Sequence, residues 1–87
     1  MKYIVELTSE AERDLDQLDR NLERRIRERL KELAPDPYSP RLSKSLKMFP
    51  GTRTARVGDW RILYEIAAPE RLIRVTAVRP RREAYRK

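Results

Sequence analysis

The second half of the chain alternates between apolar and polar positions, which is the period of a β-strand. Between residues 60 and 66 every second residue is apolar or aromatic, and Thr52–Val57 and Arg71–Val78 are rich in β-forming residues. Gly58-Asp59 separates the first two runs, and residues 67–70, which include a proline, separate the last two. The pattern predicts a three-stranded antiparallel meander.

Alternation along Arg71–Val78 also assigns side chains to the two faces of the sheet. Ile73, Val75 and Ala77 fall on one face, because successive side chains of a strand point to opposite sides. Val78 then falls on the other face, together with the polar residues of this strand.

The first half of the chain predicts one strand followed by helices. Tyr3–Leu7 alternates as a short strand, and Ser9 with Glu12 forms a capping box that begins a helix. Apolar residues then recur at steps of three and four, as on one face of a helix. They are Ala11, Leu15, Leu18 and Leu22, followed by Ile26, Leu30 and Leu33. The turn-favouring residues 19–21 indicate a break and hence a helical hairpin, with one long helix as the alternative.

Prolines end the helical pattern at residues 35, 37 and 40 and make this connection stiff. We predict an irregular segment over Arg41–Pro50, with some of its apolar side chains under the sheet. The complete pattern predicts an α+β fold with the order β-α-α-β-β-β. In this fold an N-terminal strand precedes a two-helix hairpin and an antiparallel meander, and the helices cover one face of the sheet. At 87 residues the chain is expected to be a single domain, residues 1–87.

The composition narrows the chemistry. The sequence contains no cysteine and no histidine, which removes disulfides, the usual zinc ligands and the usual general base. We therefore predict no cofactor and no metal site. No apolar run is long enough to span a bilayer, so we expect a cytoplasmic protein without a membrane partner.

The net charge of +7 is concentrated in one half of the chain. Residues 1–51 contain 11 Lys and Arg against 10 Asp and Glu, whereas residues 52–87 contain 10 against 4. These counts give +1 and +6. A polyanion such as RNA or DNA is the favoured partner of the second half. The alternative is a basic surface that only improves solubility.

Arginine lies within or at the end of two neighbouring predicted strands, in RVGDWRILY (56–64) and IRVTAVRPRREAY (73–85). Adjacent strands with these residues would direct guanidinium groups and an aromatic hydroxyl to one surface, which suits a phosphate. Two alternatives are structural. Arg61 could pair with Glu65 or Asp59 on the sheet, and Tyr85 could pack its ring on the core.

The segments RVGDWRILYEI and VRPRREAYR, with YIVELT, AERDLDQL and KMFPG before them, resemble the RelE/ParE superfamily, the toxins of type II toxin-antitoxin pairs. The resemblance implies the same α+β fold and a cognate antitoxin as partner, which would form a hetero-oligomer with the toxin. Members similar to RelE cut mRNA within the translating ribosome and so inhibit translation. Members similar to ParE share the fold and inhibit DNA gyrase by protein binding.

Three matches favour the RelE-like branch, and the resemblance implies that they are the catalytic residues: Arg61, Arg81 and Tyr85. The residues that we expect to bind RNA phosphates are basic: Lys44, Lys47, Arg53, Arg56, Arg82 and Arg86. Thr54 occupies a position where relatives commonly have Lys or Arg, and Pro80 one where they often have His or Lys.

The implied reaction is metal-independent cleavage of mRNA, in which the 2′-hydroxyl attacks the neighbouring phosphorus. Arg61 would hold the phosphate oxygens through its bidentate guanidinium, and Arg81 would stabilise the leaving oxygen. Tyr85 would act as the base or stack on a nucleobase. One alternative function is a ParE-like gyrase inhibitor without ribonuclease activity. The other is a nucleic-acid-binding module without enzymatic activity, for which the basic second half would suffice.

Overall fold

The computed structural model describes residues 2–81, and in this range the chain forms two helices and a five-stranded sheet. The helices and strands, in chain order, are β1 Ile4–Leu7, α1 Ser9–Asp16, α2 Arg20–Leu33, β2 Ser43–Ser45, β3 Thr52–Val57, β4 Trp60–Ala67 and β5 Leu72–Pro80, with a short 3-10 helix at Ala68–Glu70. The predicted α+β fold with an N-terminal strand, a helical hairpin and a meander is confirmed.

The sheet has the strand order β1-β5-β4-β3-β2. β3, β4 and β5 form the predicted antiparallel meander, and β1 pairs with β5 in parallel, so that Ile4 lies beside Leu72. β5 is therefore an inner strand, although it is the last strand of the described chain. The register is fixed because the core face needs every second side chain to be apolar.

The helical hairpin forms where the sequence predicts a break. Asp19 caps α2, since its side chain accepts a hydrogen bond from the backbone N–H of Leu22 at 2.8 Å. The capping box predicted at Ser9 is wrong by one residue. Thr8 is the N-cap of α1 and accepts from the N–H of Ala11 at 3.2 Å, because Ser9 already belongs to the first turn.

The core lies between the two helices and one face of the sheet. Leu15, Ile26 and Leu33 pack from the helices onto the fully buried Ile62 and Tyr64 of β4. Within residues 2–81, no helix is long and apolar enough to cross a membrane.

β2 corrects the expectation that residues 41–50 are irregular. The tripeptide Ser43–Ser45 pairs antiparallel with β3 and forms the outer edge of the sheet. Neither serine nor lysine is a typical strand residue, so this strand follows from pairing with its neighbour and not from local preference.

A β-bulge in β5 corrects the strict alternation predicted for that strand. Tyr64 pairs with Val75 but Leu63 pairs with Ala77, which leaves Thr76 as an additional residue. The Thr76 hydroxyl donates to the carbonyl of Leu63 at 3.2 Å. As a result, Val78 pairs with Ile62 and is 2% exposed.

Candidate nucleic-acid interface

A groove of about 320 Å³ lies on the sheet face that the helices leave open. Ala55, Val57 and Ile62 fill the core, so the alternate residues Arg56 and Arg61 point to the other side. The lining comes from the connection before β2, from β2, β3 and β4, and from the residue after β5. It consists of Pro40, Arg41, Leu42, Ser43, Lys44, Thr54, Arg56, Arg61 and Arg81.

Nine residues of the described part of the chain line the groove. Five of them are basic and none is acidic. A concave surface with charges of one sign concentrates the electrostatic potential and attracts a ligand of opposite charge. A larger cleft of about 540 Å³ lies between the start of α2 and the β3–β4 turn, but Asp19 and Asp59 line it together with Arg20 and Arg25. The groove, and not the larger cleft, is therefore the site suited to an anion.

Arginines face one another across three strands at the inner end of the groove. Arg61 pairs with Arg56 on β3 and with Arg79 on β5. Like charges directly opposite on adjacent strands destabilise a sheet. Arg61 is also only 6% exposed, with its Nη1 donating to the Trp60 carbonyl at 3.4 Å. The row therefore gives this end of the groove a positive potential, which favours an anion.

Acidic residues of α1 hold one member of this row. The Asp14 carboxylate accepts from Arg79 Nε at 3.1 Å and from the backbone N–H of Val78 at 2.9 Å, and Glu10 also pairs with Arg79. β1 ends before this part of β5, so the Asp14 side chain supplies the acceptor that a neighbouring strand would otherwise provide. This contact fixes the end of β5, from which Arg81 reaches the groove.

Arg81 is held by its own backbone as well. Its N–H donates to the carbonyl of Asp59 at 2.7 Å, which extends the β4–β5 pairing past Pro80. Gly58 supplies the positive φ of 59° that the adjoining turn needs. Arg81 itself is exposed and lines the groove.

The sequence matches the family model for the ParE toxin of type II toxin-antitoxin systems (parDE) over residues 5–85. The chain belongs to this toxin family. The predicted membership of the RelE/ParE superfamily is thus confirmed. No curated protein matches the toxin.

Solved structures support the same assignment. The toxin is similar to a chain of the RelBE2 toxin-antitoxin complex from Mycobacterium tuberculosis, with 30% identity and a TM-score of 0.81 over 93% of this chain and 100% of that one. The archaeal RelE-RelB complex from Pyrococcus horikoshii gives 24% identity and a TM-score of 0.79, covering 97% and 100%. A free mutant of E. coli RelE gives 15% and 0.82, covering 97% and 88%. The last two establish the fold alone.

The toxin brings together four of the residues that the sequence predicts for its site. Arg61 and Arg81, the two predicted catalytic arginines, line the same groove as Lys44 and Arg56. Arg56 Nε also donates to the Gly58 carbonyl at 3.0 Å, which keeps this side chain at the β3–β4 end of the groove. The predicted Tyr85, Arg82 and Arg86 lie outside the described residues.

Arg53 and Lys47, also predicted to bind phosphate, do not line the groove. Arg53 shares the strand face of Ala55 and Val57, and its guanidinium donates to Ser43 Oγ at 2.9 Å and to the Tyr38 carbonyl at 3.2 Å. Alternation along β3 already contained this signal, because Arg53 has the same parity as the two buried residues. Lys47 is exposed beyond β2.

Arg41 is a groove residue that the sequence analysis missed. It lies in the connection between α2 and β2 and carries no strand or helix periodicity. Its proximity to Lys44 and to a proline-rich turn was the available signal, and charge in a loop is too common to be specific.

Proposed function

We propose that the toxin is a ribosome-dependent mRNA endoribonuclease that inhibits translation. The observation that supports this proposal is the convergence of Arg61, Arg81 and Arg56 with two further cations in one groove, with no carboxylate among the lining residues that the structure describes. Phosphate contacts dominate the affinity of proteins for nucleic acids, and guanidinium groups bind phosphate oxygens in pairs.

The reaction begins with attack of the RNA 2′-hydroxyl on the adjacent phosphorus. The new O2′–P bond forms as the P–O5′ bond breaks, which gives a 2′,3′-cyclic phosphate and a free 5′-hydroxyl. In this proposal Arg61 binds the non-bridging oxygens at the centre of the groove, where charge develops in the phosphorane. Arg81 stabilises the leaving O5′, which takes a proton from water. Tyr85 either takes the 2′ proton or stacks on a nucleobase, in which case water takes that proton.

The ribosome completes this site by positioning the message. Every basic residue of the groove can bind a phosphate. Such contacts position the RNA but do not distinguish its sequence. Correct placement of the reacting groups alone contributes about 7–11 kcal/mol to intramolecular reactions. We therefore expect efficient cleavage on the ribosome and little cleavage of free RNA.

A cognate antitoxin completes the proposed system. Several of the similar structures are toxin-antitoxin complexes, among them those from M. tuberculosis, P. horikoshii and E. coli. The basic groove suits a partner segment with acidic residues, which would cover it and block phosphate binding. The proposed compartment is the cytoplasm, where both the ribosome and the message are found.

The second candidate function is inhibition of DNA gyrase by protein binding. The family model is named for ParE and favours this function. Thr54 favours it as well, because RelE-like relatives commonly have Lys or Arg at that position. This function requires no phosphate in the groove, so the two candidates differ in the role of Arg61 and Arg81.

The deciding experiment is primer extension on a message that is being translated in a purified system, with the toxin added. Arg81→Ala is the test variant, and Arg74→Ala is the matched control, because Arg74 lies on β5, the strand that Arg81 follows, but pairs with Glu65 at 3.9 Å. We expect new 3′ ends in the ribosomal A site with the wild type and the control, and none with Arg81→Ala. Intact message with all three proteins would exclude the ribonuclease function and favour the gyrase inhibitor.

A further inference from the structure

We propose that Arg41 and Lys44 form a second phosphate subsite, which binds the phosphodiester adjacent to the one held by Arg61 and Arg81. This inference rests on the proposed function, since it assumes that a single RNA strand occupies the groove. It adds a direction to that function: the strand lies across the sheet, from the end of β5 towards the β2 edge.

The strand order separates the two subsites. Lys44 lies on β2 opposite Thr54 of β3, and Arg61 lies on β4, so two inter-strand steps divide Lys44 from Arg61. Two steps amount to about 9–10 Å between backbones. Successive phosphates of a stacked strand rise by about 3.4 Å, and those of an extended strand lie further apart. A groove of this width accommodates two neighbouring phosphates.

The charge of the groove also exceeds the need of one phosphate. A phosphodiester carries a single negative charge, whereas the lining contains five cations. Arg56, Arg61 and Arg81 surround the inner end, where the cross-strand row lies. Arg41 and Lys44 remain at the outer end, and a second phosphodiester supplies the counter-charge there.

The segment that carries Arg41 and Lys44 is rigid because buried groups hold it from the core side. The Tyr64 hydroxyl donates to the carbonyl of the buried Pro37 at 2.6 Å. Ser43 Oγ donates to the Ser39 carbonyl at 2.9 Å and accepts from Arg53. A binding segment that is already ordered loses less conformational entropy when its ligand arrives.

A buried hydroxyl between the two subsites lacks a partner. Thr54 is 3% exposed, lines the groove, and its Oγ1 makes no hydrogen bond to any part of the described chain. Burying a hydroxyl without a hydrogen bond is unfavourable, and such groups are uncommon in native structures. Lys44 is the cross-strand neighbour of Thr54, so a phosphate beside Lys44 would bring an acceptor near this hydroxyl.

The test measures binding of short RNA that the toxin cannot cut. The ligands are oligonucleotides with 2′-O-methyl groups, which lack the attacking hydroxyl. Three ligands are compared: one has a single phosphodiester, one has a second phosphodiester on the 5′ side, and one has a second phosphodiester on the 3′ side. Affinities are followed by NMR titration at about 50 mM salt, where phosphate contacts are strong. The variant is Arg41→Gln/Lys44→Gln, and the control is Arg24→Gln/Lys31→Gln, which removes the same charge from the exposed surface of α2.

We expect the second phosphodiester to raise the affinity of the wild type and of the control about tenfold on one side only. The double variant should lose this gain and still bind the one-phosphate ligand. Its slope of log K against log salt should be smaller by about 0.7 for the longer ligand, the value for one phosphate contact on a single strand.

Two results would overturn the subsite and leave the proposed function standing. In one, the wild type binds a single phosphodiester but gains nothing from a second. In the other, the double variant keeps the full gain. Failure of the wild type to bind any of the ligands, together with intact message in the primer-extension experiment, would instead overturn the proposed function and the subsite with it.

Discussion

The outer surface of α2 and the groove on the opposite side of the sheet are both rich in arginine, but they differ in how the charge is arranged. α2 contains six basic and three acidic residues within Arg20–Leu33. Acids alternate with the bases there, and Glu23 pairs with Arg27 at 3.0 Å while Glu32 pairs with Arg29 at 2.8 Å. The groove has five basic residues and, in the described chain, no acidic ones.

The difference shows that the arrangement of the charges, and not their number, marks the candidate site. A concave surface of about 560 Å³ lies along α2, larger than the groove, but Glu23 and Glu28 line it among the bases. Exposed pairs of this kind contribute about 0–1 kcal/mol and present a mixed surface to solvent. The groove instead keeps a field of one sign, which is the property that a polyanion recognises.

Substitution of one arginine in each region should give the largest contrast. Arg61→Gln removes the group that we propose to bind the central phosphate, and we expect it to lower the rate of the proposed message cleavage on the ribosome about 10²–10³-fold, as for loss of one group that stabilises transition-state charge. Arg27→Gln on α2 should leave the rate within about twofold, because it breaks only an exposed pair. Single-turnover cleavage measures both. Equal rates for the two variants would remove the distinction between the regions.

The stability of Arg61→Gln separates a role in binding from a role in folding. The substitution removes a cation that faces Arg56 and Arg79 across the sheet, but it also removes the contact of the Arg61 guanidinium with the Trp60 carbonyl, so we expect the melting temperature to change little. A large fall in melting temperature would mean that Arg61 is primarily a structural residue.

Loss of the Asp14 carboxylate should have a smaller effect than loss of Arg61. It should lower stability and change the position of Arg81. Asp14→Ala leaves the Val78 N–H and Arg79 Nε without their acceptor, and we expect a loss of about 1–3 kcal/mol in the free energy of unfolding. Asp16→Ala in the same helix is the control, because Asp16 is exposed, and it should change stability by less than about 0.5 kcal/mol. Urea unfolding of both variants measures the difference, and similar losses would contradict the role assigned to Asp14.

The smallest effect concerns two threonines of the sheet. Thr54→Val replaces a buried hydroxyl that has no partner in the described chain, so stability should be unchanged or slightly increased. Thr76→Val removes the hydrogen bond to the Leu63 carbonyl in the bulge and should cost about 1 kcal/mol. If Thr54→Val proved the more destabilising of the two in urea unfolding, Thr54 would have a structural partner, and its link to the phosphate subsite would be lost.

Sequence periodicity predicted most of the fold because the core requires it. The bounds of β3 agree with the prediction at both ends, and Ile62 and Tyr64 are buried as alternation along β4 requires. β2 and the bulge at Thr76 were missed for a common reason. Both depend on pairing with a distant strand, and neither leaves a local pattern in the sequence.

The candidate site was predictable where its residues lie on regular strands. Arg56 and Arg61 followed from their places on predicted strands and from the superfamily resemblance, and both line the groove. Arg53 was assigned by charge alone, although its parity with Ala55 places it on the core face. Arg41 reaches the groove through a connection whose path is set by buried hydrogen bonds, and no sequence period records such a path.

The parallel pairing of β1 with β5 has a consequence for the synthesis of this toxin. Ile4 and Leu72 are neighbours in the sheet but 68 residues apart in the chain, so the sheet cannot close until Leu72–Pro80 has left the ribosome that is making it. Contacts so distant in sequence form late in folding. Arg81 enters the groove only after that step, so the groove is not complete until residue 81 has been made.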